Sequence, residues 1–258
     1  MWRDIIYLSF TRMSPKLIFI VPYRDRVEHK HFFMNYMKYL LEDYEPEDYE
    51  IYFSHQCDTR SFNRGAVKNI GFLAMKEKYP NDYKNITFVF NDVDTLPYKK
   101  GILPYETTQG NIKHFYGFDF CLGGIFSIKG GDFELINGFP NLWSWGLEDT
   151  LIYRRALKMK LNVDRSVYFD IRSKSILRFF DGFARTHNRV EIFKAAKTNY
   201  VHGLNDIKNL KTEIVDEYIN IEMFSCEDED KVNESHDLRN GTRSFSRRRR
   251  RGNPLMLK

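Results

Sequence analysis

Cysteine is scarce in this 258-residue chain. Only Cys57, Cys121 and Cys226 occur, an odd number with no C-x-x-C, which argues against a disulfide framework and a cysteine-based zinc site. Long apolar runs are also missing. Ile5–Phe10 is followed by Arg12, and Leu17–Val21 ends at Pro22. Neither approaches the roughly 20 residues of a membrane span, and neither makes a secretory leader. The expectation is therefore a cytoplasmic chain with no transmembrane anchor, in which the Asn-x-Ser/Thr triplets at Asn85, Asn233 and Asn240 are accidental. No Walker A pattern, G-x-G-x-x-G, H-E-x-x-H or G-x-S-x-G appears. ATPase, dinucleotide, zincin and hydrolase readings lose their usual support.

Most of the chain also lacks an excess of one charge. The net charge is +5, but residues 225–258 hold nine basic and six acidic residues and carry three of the five units. In residues 1–224, 31 basic residues are offset by 29 acidic ones. The tail loses apolar residues, runs through "EDED" and ends near "RRRRR". It reads as a disordered acidic-then-basic, solvated segment, and no nucleic-acid partner is expected.

What is present is a core. Hydrophobic residues make up 42% and aromatic residues 16%, including 22 Phe, enough for one large domain over residues 1–224. "KLIFIV" (16–21), "EIYFS" (50–54) and "ITFVF" (86–90) read as buried strands. Helical apolar spacing separates them over Glu28–Leu41 and Asn63–Lys78. This β-α-β-α-β order predicts an α/β domain with a parallel sheet covered by helices. Ligands of such sheets bind beyond the carboxyl ends of the strands, which is where the polar motifs fall. Further on, "CLGGIFSI" (121–128) reads as a strand, Leu151–Lys160 as a short helix and Tyr218–Phe224 as a last strand.

Each motif has a chemical and a structural reading. Asp92-Val93-Asp94 follows a strand directly, so its carboxylates can hold a divalent cation against a diphosphate, or they can be a solvated turn. Arg24 and Arg26, after the first strand, can clamp phosphate oxygens or lie on the surface. Phe62 can stack on a base and Arg64 can meet a phosphate at a helix start; structurally, Phe62 is core and Asn63 a helix cap. In Trp143-Ser144-Trp145-Gly146-Leu147-Glu148-Asp149, the rings can face a sugar and the carboxylates can act as ligand and general base. Alternatively, both Trp fill the core and the acids favour a helix dipole. His187 and His202 are isolated; either as neutral imidazole can complete a metal site with Asp94.

In order, "VPYRDRVEH", "SFNRGAVKNIGF", "FVFNDVDTLP", "LGGIFSI", "INGFPNLWSWGLEDT" and "HGLNDI" resemble the β-1,4-galactosyltransferase family, glycosyltransferase family 7. The resemblance covers about residues 17–205. It implies a GT-A fold, in which a mostly parallel twisted sheet is flanked by helices in a single domain. It implies Mn²⁺, a UDP-sugar donor and inverting transfer to the hydroxyl of a glycan acceptor. Carried over by position, Arg24, Arg26, Phe62, Arg64, Asp92, Gly124 and Trp145 bind the donor. Asp94 is the metal ligand, Asp149 the general base and Glu148 a ligand of sugar hydroxyls. His187, with His202 behind it, is the choice for a further metal ligand. Cys121 stands where the family often has a large aromatic that gates donor size, so UDP-GalNAc and UDP-GlcNAc stay open beside UDP-galactose. Thr150 replaces the acidic residue usual after the Glu-Asp pair. "WGLED" is also similar to chondroitin-type N-acetylgalactosaminyltransferases. Lacking the anchor and stem usual in animal members, the chain resembles a soluble form such as a giant virus or a microbe would encode. A catalytically silent module that binds a sugar or nucleotide-sugar is the alternative.

Overall fold

The computed structural model describes residues 14–143, 145–197, 200–230 and 234–240. The chain opens with β1 (Leu17–Tyr23), α1 (Val27–Leu40), β2 (Tyr49–Gln56), α2 (Arg64–Lys78) and β3 (Thr87–Asn91). There follow β4 (Thr95–Pro97), β5 (Asn111–Gly117), β6 (Ile125–Lys129), α3 (Gly130–Leu135) and α4 (Glu148–Lys158). Short strands come next: β7 (Asn162–Asp164), β8 (Phe169–Asp170), β9 (Ile176–Arg178) and β10 (Ala184–His187). The remaining elements are α5 (Arg189–Lys197), β11 (Lys208–Val215), β12 (Tyr218–Ser225) and β13 (Glu234–Asp237).

The central sheet has the order β11-β12-β2-β1-β3-β6-β5-β7, with β8 also on β5. Its β1–β2, β1–β3, β2–β12, β5–β7 and β5–β8 pairings are parallel. Antiparallel pairing enters through β6 and β11, so the sheet is mixed. Strand periodicity explains the layers: successive side chains point to opposite faces. On β1, Ile18 and Ile20 enter one core with Phe72, Phe88, Phe90 and Phe133. Leu17, Phe19 and Val21 enter the other with Phe33, Met37 and Val89. Both faces are covered, as the apolar runs require.

The register sets the site. β1, β2 and β3 run parallel, so Tyr23, Gln56 and Asn91 end on one edge. β6 runs the other way and pairs Ile125 with Asn91. The turn before β6 therefore reaches the edge from which Asp92 departs. That turn is not strand, contrary to the reading of 121–128. Its amides are used elsewhere: Cys121 N–H bonds to the Phe118 carbonyl and Leu122 N–H to the Asp149 carbonyl. Gly124 takes a φ of +66°, and a Cβ there would strike the Tyr116 backbone.

The boundary at residue 224 also needs correction. β12 runs to Ser225, and β13 pairs with β10, placing Glu234 opposite His187. Between them the Asp228 carbonyl accepts from Trp143 Nε1 at 2.6 Å, and its carboxylate from Tyr200 and Lys194, each at 2.8 Å. Ser61 N–H donates to Asp230 at 2.7 Å. The acidic run, which reads as solvated in the sequence, thus finds donors on three loops and on α5. The Arg run lies outside the described residues.

Candidate active site

Beyond the carboxyl edge, three segments converge: the end of β3, the start of α2 and the start of α4. α2 begins where Asn63 caps it, its side chain accepting from Ala66 N–H at 2.9 Å. That fixes Arg64 in the first turn. α4 begins after Leu147, held at a φ of +69°, a left-handed conformation that is costly for a residue with a Cβ. The turn puts Glu148 and Asp149 in the first helical turn. The acid pair thus lies in the first turn of the helix, where the dipole reading places it. A Cβ on Gly123 would collide with the Asp149 carboxylate, so this glycine is the floor on which Asp149 rests.

The charges interlock. Arg64 donates to Asp92 Oδ2 and lies 3.5 Å from Glu148 Oε1. Lys68, almost fully buried, reaches Asp92 Oδ1 at 3.5 Å and Asp149 Oδ1 at 4.0 Å. Glu148 Oε2 also accepts from Gly146 N–H at 2.9 Å. Burial would raise the Asp92 carboxyl, but Arg64 and Lys68 outweigh it and hold it below its ordinary range. Burial pushes Asp149 upward, opposed by Lys68 and Arg64. It pushes Glu148 upward too, with help from the Asp149 charge.

Asp94 is placed differently. Burial first, then the neighbouring Asp92 and Asp181 carboxylates, push it up to about 6. No ion pair reaches it among the described residues. Its carbonyl accepts from Phe179 N–H at 2.8 Å, because β4 pairs with β9 beside it. An oxygen donor facing two further carboxylates suits a hard divalent cation such as Mn²⁺ or Mg²⁺. Among the described residues, however, no group of three or more His, Cys, Asp or Glu is gathered to hold a metal. His187 is buried with its ring 5.7 Å from Trp145 and 5.2 Å from His236. His202 Nδ1 lies 3.5 Å from Asp206. Neither histidine is brought into a ligand cluster with Asp94.

The expected donor-binding residues line the same edge. Arg24 donates to the Arg60 carbonyl at 2.6 Å and the Gln56 carbonyl at 3.3 Å, and lies 5.4 Å from the Phe62 ring centre. It shapes the loop after β2. Arg26 donates to the Asp181 carbonyl at 2.8 Å, tying the end of β1 to the loop beside Asp94. Phe62 is half-buried against a cluster containing Val67 and Trp143. Trp143 is core, stacked on Phe224, as its structural reading had it. Trp145 is half-buried beneath Arg185, its backbone N–H bonded to the Thr186 carbonyl at 2.8 Å. The Cys121 thiol turns toward the Phe118 carbonyl at 3.6 Å, and burial, then Asp149, pushes it up to about 12.

Sequence reasoning missed three residues. Lys68 is a charge inside the apolar run "GAVKNIGF", and that break in pattern was its signal. His114 and Arg165 lie behind the glycine turn. His114 Nε2–H is shared by the Tyr116 and Gly123 carbonyls at 3.1 and 3.2 Å, and its Nδ1 accepts from Arg165 Nε at 3.0 Å. Arg165 also donates to the Cys121 carbonyl at 3.3 Å. Burial, and then Arg165, lowers His114 to about 4, so it is neutral. No local motif announces this pair.

Comparison with known proteins gives the family. The model for the N-terminal region of glycosyl transferase group 7 matches residues 11–105, and that for the N-terminal domain of galactosyltransferase matches residues 106–177. Xylosylprotein 4-beta-galactosyltransferase of Caenorhabditis elegans is 32% identical over 214 residues, 76% of this chain and 71% of the relative. The chain belongs to the β-1,4-galactosyltransferase family of glycosyltransferases. It is 32% identical to beta-1,4-galactosyltransferase 1 of Mus musculus over 59% of its own length, but spans only 40% of that relative. The catalytic domain of Drosophila beta1,4galactosyltransferase 7, solved with xylobiose, superposes with a TM-score of 0.61 at 23% identity. The match covers 83% of this chain and 96% of the fly domain. A variant of the fly protein, solved with manganese, UDP-Gal and xylobiose, superposes equally well at 22% identity. This likeness gives the fold, GT-A. The matched family segments end at residue 177, ahead of both candidate histidines. No described helix is long and apolar enough to cross a membrane.

Proposed function

We propose that this family member is an inverting glycosyltransferase that moves a hexose from a UDP-sugar to an acceptor hydroxyl, with Asp149 as general base. The observation that carries the reading is the meeting of Asp92, Glu148 and Asp149 around Arg64 and Lys68, with Asp94 beside them, at the edge where such sheets bind ligands. In one displacement, the acceptor oxygen forms the new bond to the anomeric carbon as the bond to the diphosphate oxygen breaks. The acceptor proton passes to Asp149, and UDP departs with the bonding pair. Burial raises the proton affinity of Asp149, which suits a base. Its seat on Gly123 fixes its place. In this reading Glu148 accepts from a sugar hydroxyl, and Arg26 and Trp145 border the donor. Asp94 would hold Mn²⁺, which when bound supplies positive charge opposite the diphosphate. His187 is retained as a ligand to be tested. Galactose, N-acetylgalactosamine and N-acetylglucosamine all remain open as donor sugars, because Cys121 is small.

The silent-module alternative has one observation in its favour, the lack of a described three-ligand cluster at Asp94. One experiment separates the two readings. Purified protein is offered a panel of UDP-sugars with and without Mn²⁺, and both binding and UDP release are measured. The enzyme releases UDP only with Mn²⁺. A silent module binds a donor and releases none.

A further inference from the structure

The displacement described above leaves one buried cation unused. Lys68 is 1% exposed on α2. An ammonium taken out of water is costly unless paired. Its Nζ stands 3.5 Å from Asp92 Oδ1 and 4.0 Å from Asp149 Oδ1, and 4.7 Å from the centre of the Phe139 ring. Those two carboxylate oxygens are buried and, among the described residues, make no hydrogen bond. Arg64 serves other atoms, Asp92 Oδ2 and Glu148 Oε1. Among the described residues, Lys68 is the cation within ion-pair reach of Asp149. It joins three elements: α2, the exit of β3 and the start of α4.

We propose that Lys68 is a positioning residue for transfer, its buried ammonium bridging Asp92 and Asp149 so that the base stays charged and seated on Gly123. The proposal rests on Asp149 being the base. The charged and titratable groups facing Asp149 are Lys68 and Arg64 from α2, Asp92 beyond β3, Glu148 on its own helix and the Cys121 thiol beyond β5. Three of these are carboxylate or thiol, and Arg64 is divided among several partners. Without the Lys68 ammonium, Asp92 and Asp149 confront each other with Arg64 alone to offset them.

The test uses K68M, which removes the charge at similar volume, and K68R, which keeps it. In the full chain, K68M is expected to lower kcat about tenfold or more with the donor KM within about twofold. The acidic limb of its rate profile moves to higher pH, while K68R keeps the wild-type limb. A K68M with wild-type kcat and limb overturns the proposal, as does a K68R limb displaced as far as that of K68M. Thermal melts of K68M, D149N and the double variant give a readout independent of turnover. The K68M loss should shrink in the D149N background, and additive losses would overturn the bridge. Coupled melts in a protein that transfers no sugar would sink the reaction and leave the bridge standing.

Discussion

Asp92 and Asp94 are two residues apart in one motif, yet they occupy opposite electrostatic settings. Asp92 is held between Arg64 and Lys68 and stays ionised below its ordinary range. Asp94 has no such partner among the described residues, faces Asp92 and Asp181, and is pushed up to about 6. One position is neutralised by cations built into the fold. The other faces two further carboxylates with no ion pair among the described residues to offset them. The spacing of a D-x-D motif therefore does not divide its labour; the helix packed beneath it does.

The largest effect should come from separating the two. Asp94→Ala is expected to lower transfer on the order of a thousandfold, since a bound metal contributes several kcal/mol to charge stabilisation, while its melting temperature stays near wild type. Asp92→Ala takes the nearer carboxylate from both Arg64 and Lys68 and should cost about 3 kcal/mol of stability in addition to activity. Equal melting temperatures for the two variants would erase the contrast. Next, Asp149→Asn should reduce kcat by roughly 10²–10⁴ while UDP binding, read by calorimetry, is unchanged.

Smaller effects test the surroundings of the site. A chain ending at Phe224 loses the bonds of Asp228 and Asp230 and the β10–β13 pairing, and should melt about 5 °C lower. A chain ending at Asn240 keeps these contacts and should not show that loss. Last, His114 is neutral in the fold at about 4 against an ordinary 6.5. The unfolded chain takes up this proton first on acidification. The stability it contributes is present above about 6.5 and is lost as pH falls toward 4, on the order of 3 kcal/mol in all. Denaturant unfolding from pH 7 to 4.5 should show that fall, and His114→Asn should flatten it.

The first half of the molecule was legible in its sequence because its signals are local. Apolar runs mark β1, β2 and β3, helical spacing marks α1 and α2, and polar residues follow each strand end. The glycine turn reads as strand because Cys121–Leu122 is as apolar as the strand beyond it, yet Cys121 N–H closes a local turn and Leu122 N–H goes to the distant Asp149 carbonyl. The acidic run at 227–230 reads as a solvated tail because composition cannot show that Trp143, Tyr200 and Ser61 donate to it. His114 and Arg165 escape for the same reason, since they meet across some fifty residues and no spacing rule connects them. Lys68 shows in the sequence only as a charge in an apolar run, and its carboxylate partners lie on other elements.

The central claim is that this arrangement transfers sugar, with Asp94 as the point of metal dependence. UDP release from a panel of UDP-sugars, measured with and without Mn²⁺ for the wild type and Asp94→Ala, tests it most directly. The account predicts release by the wild type with Mn²⁺ alone and none by the variant. A wild type that binds neither UDP nor Mn²⁺, or release that persists in Asp94→Ala, would contradict it.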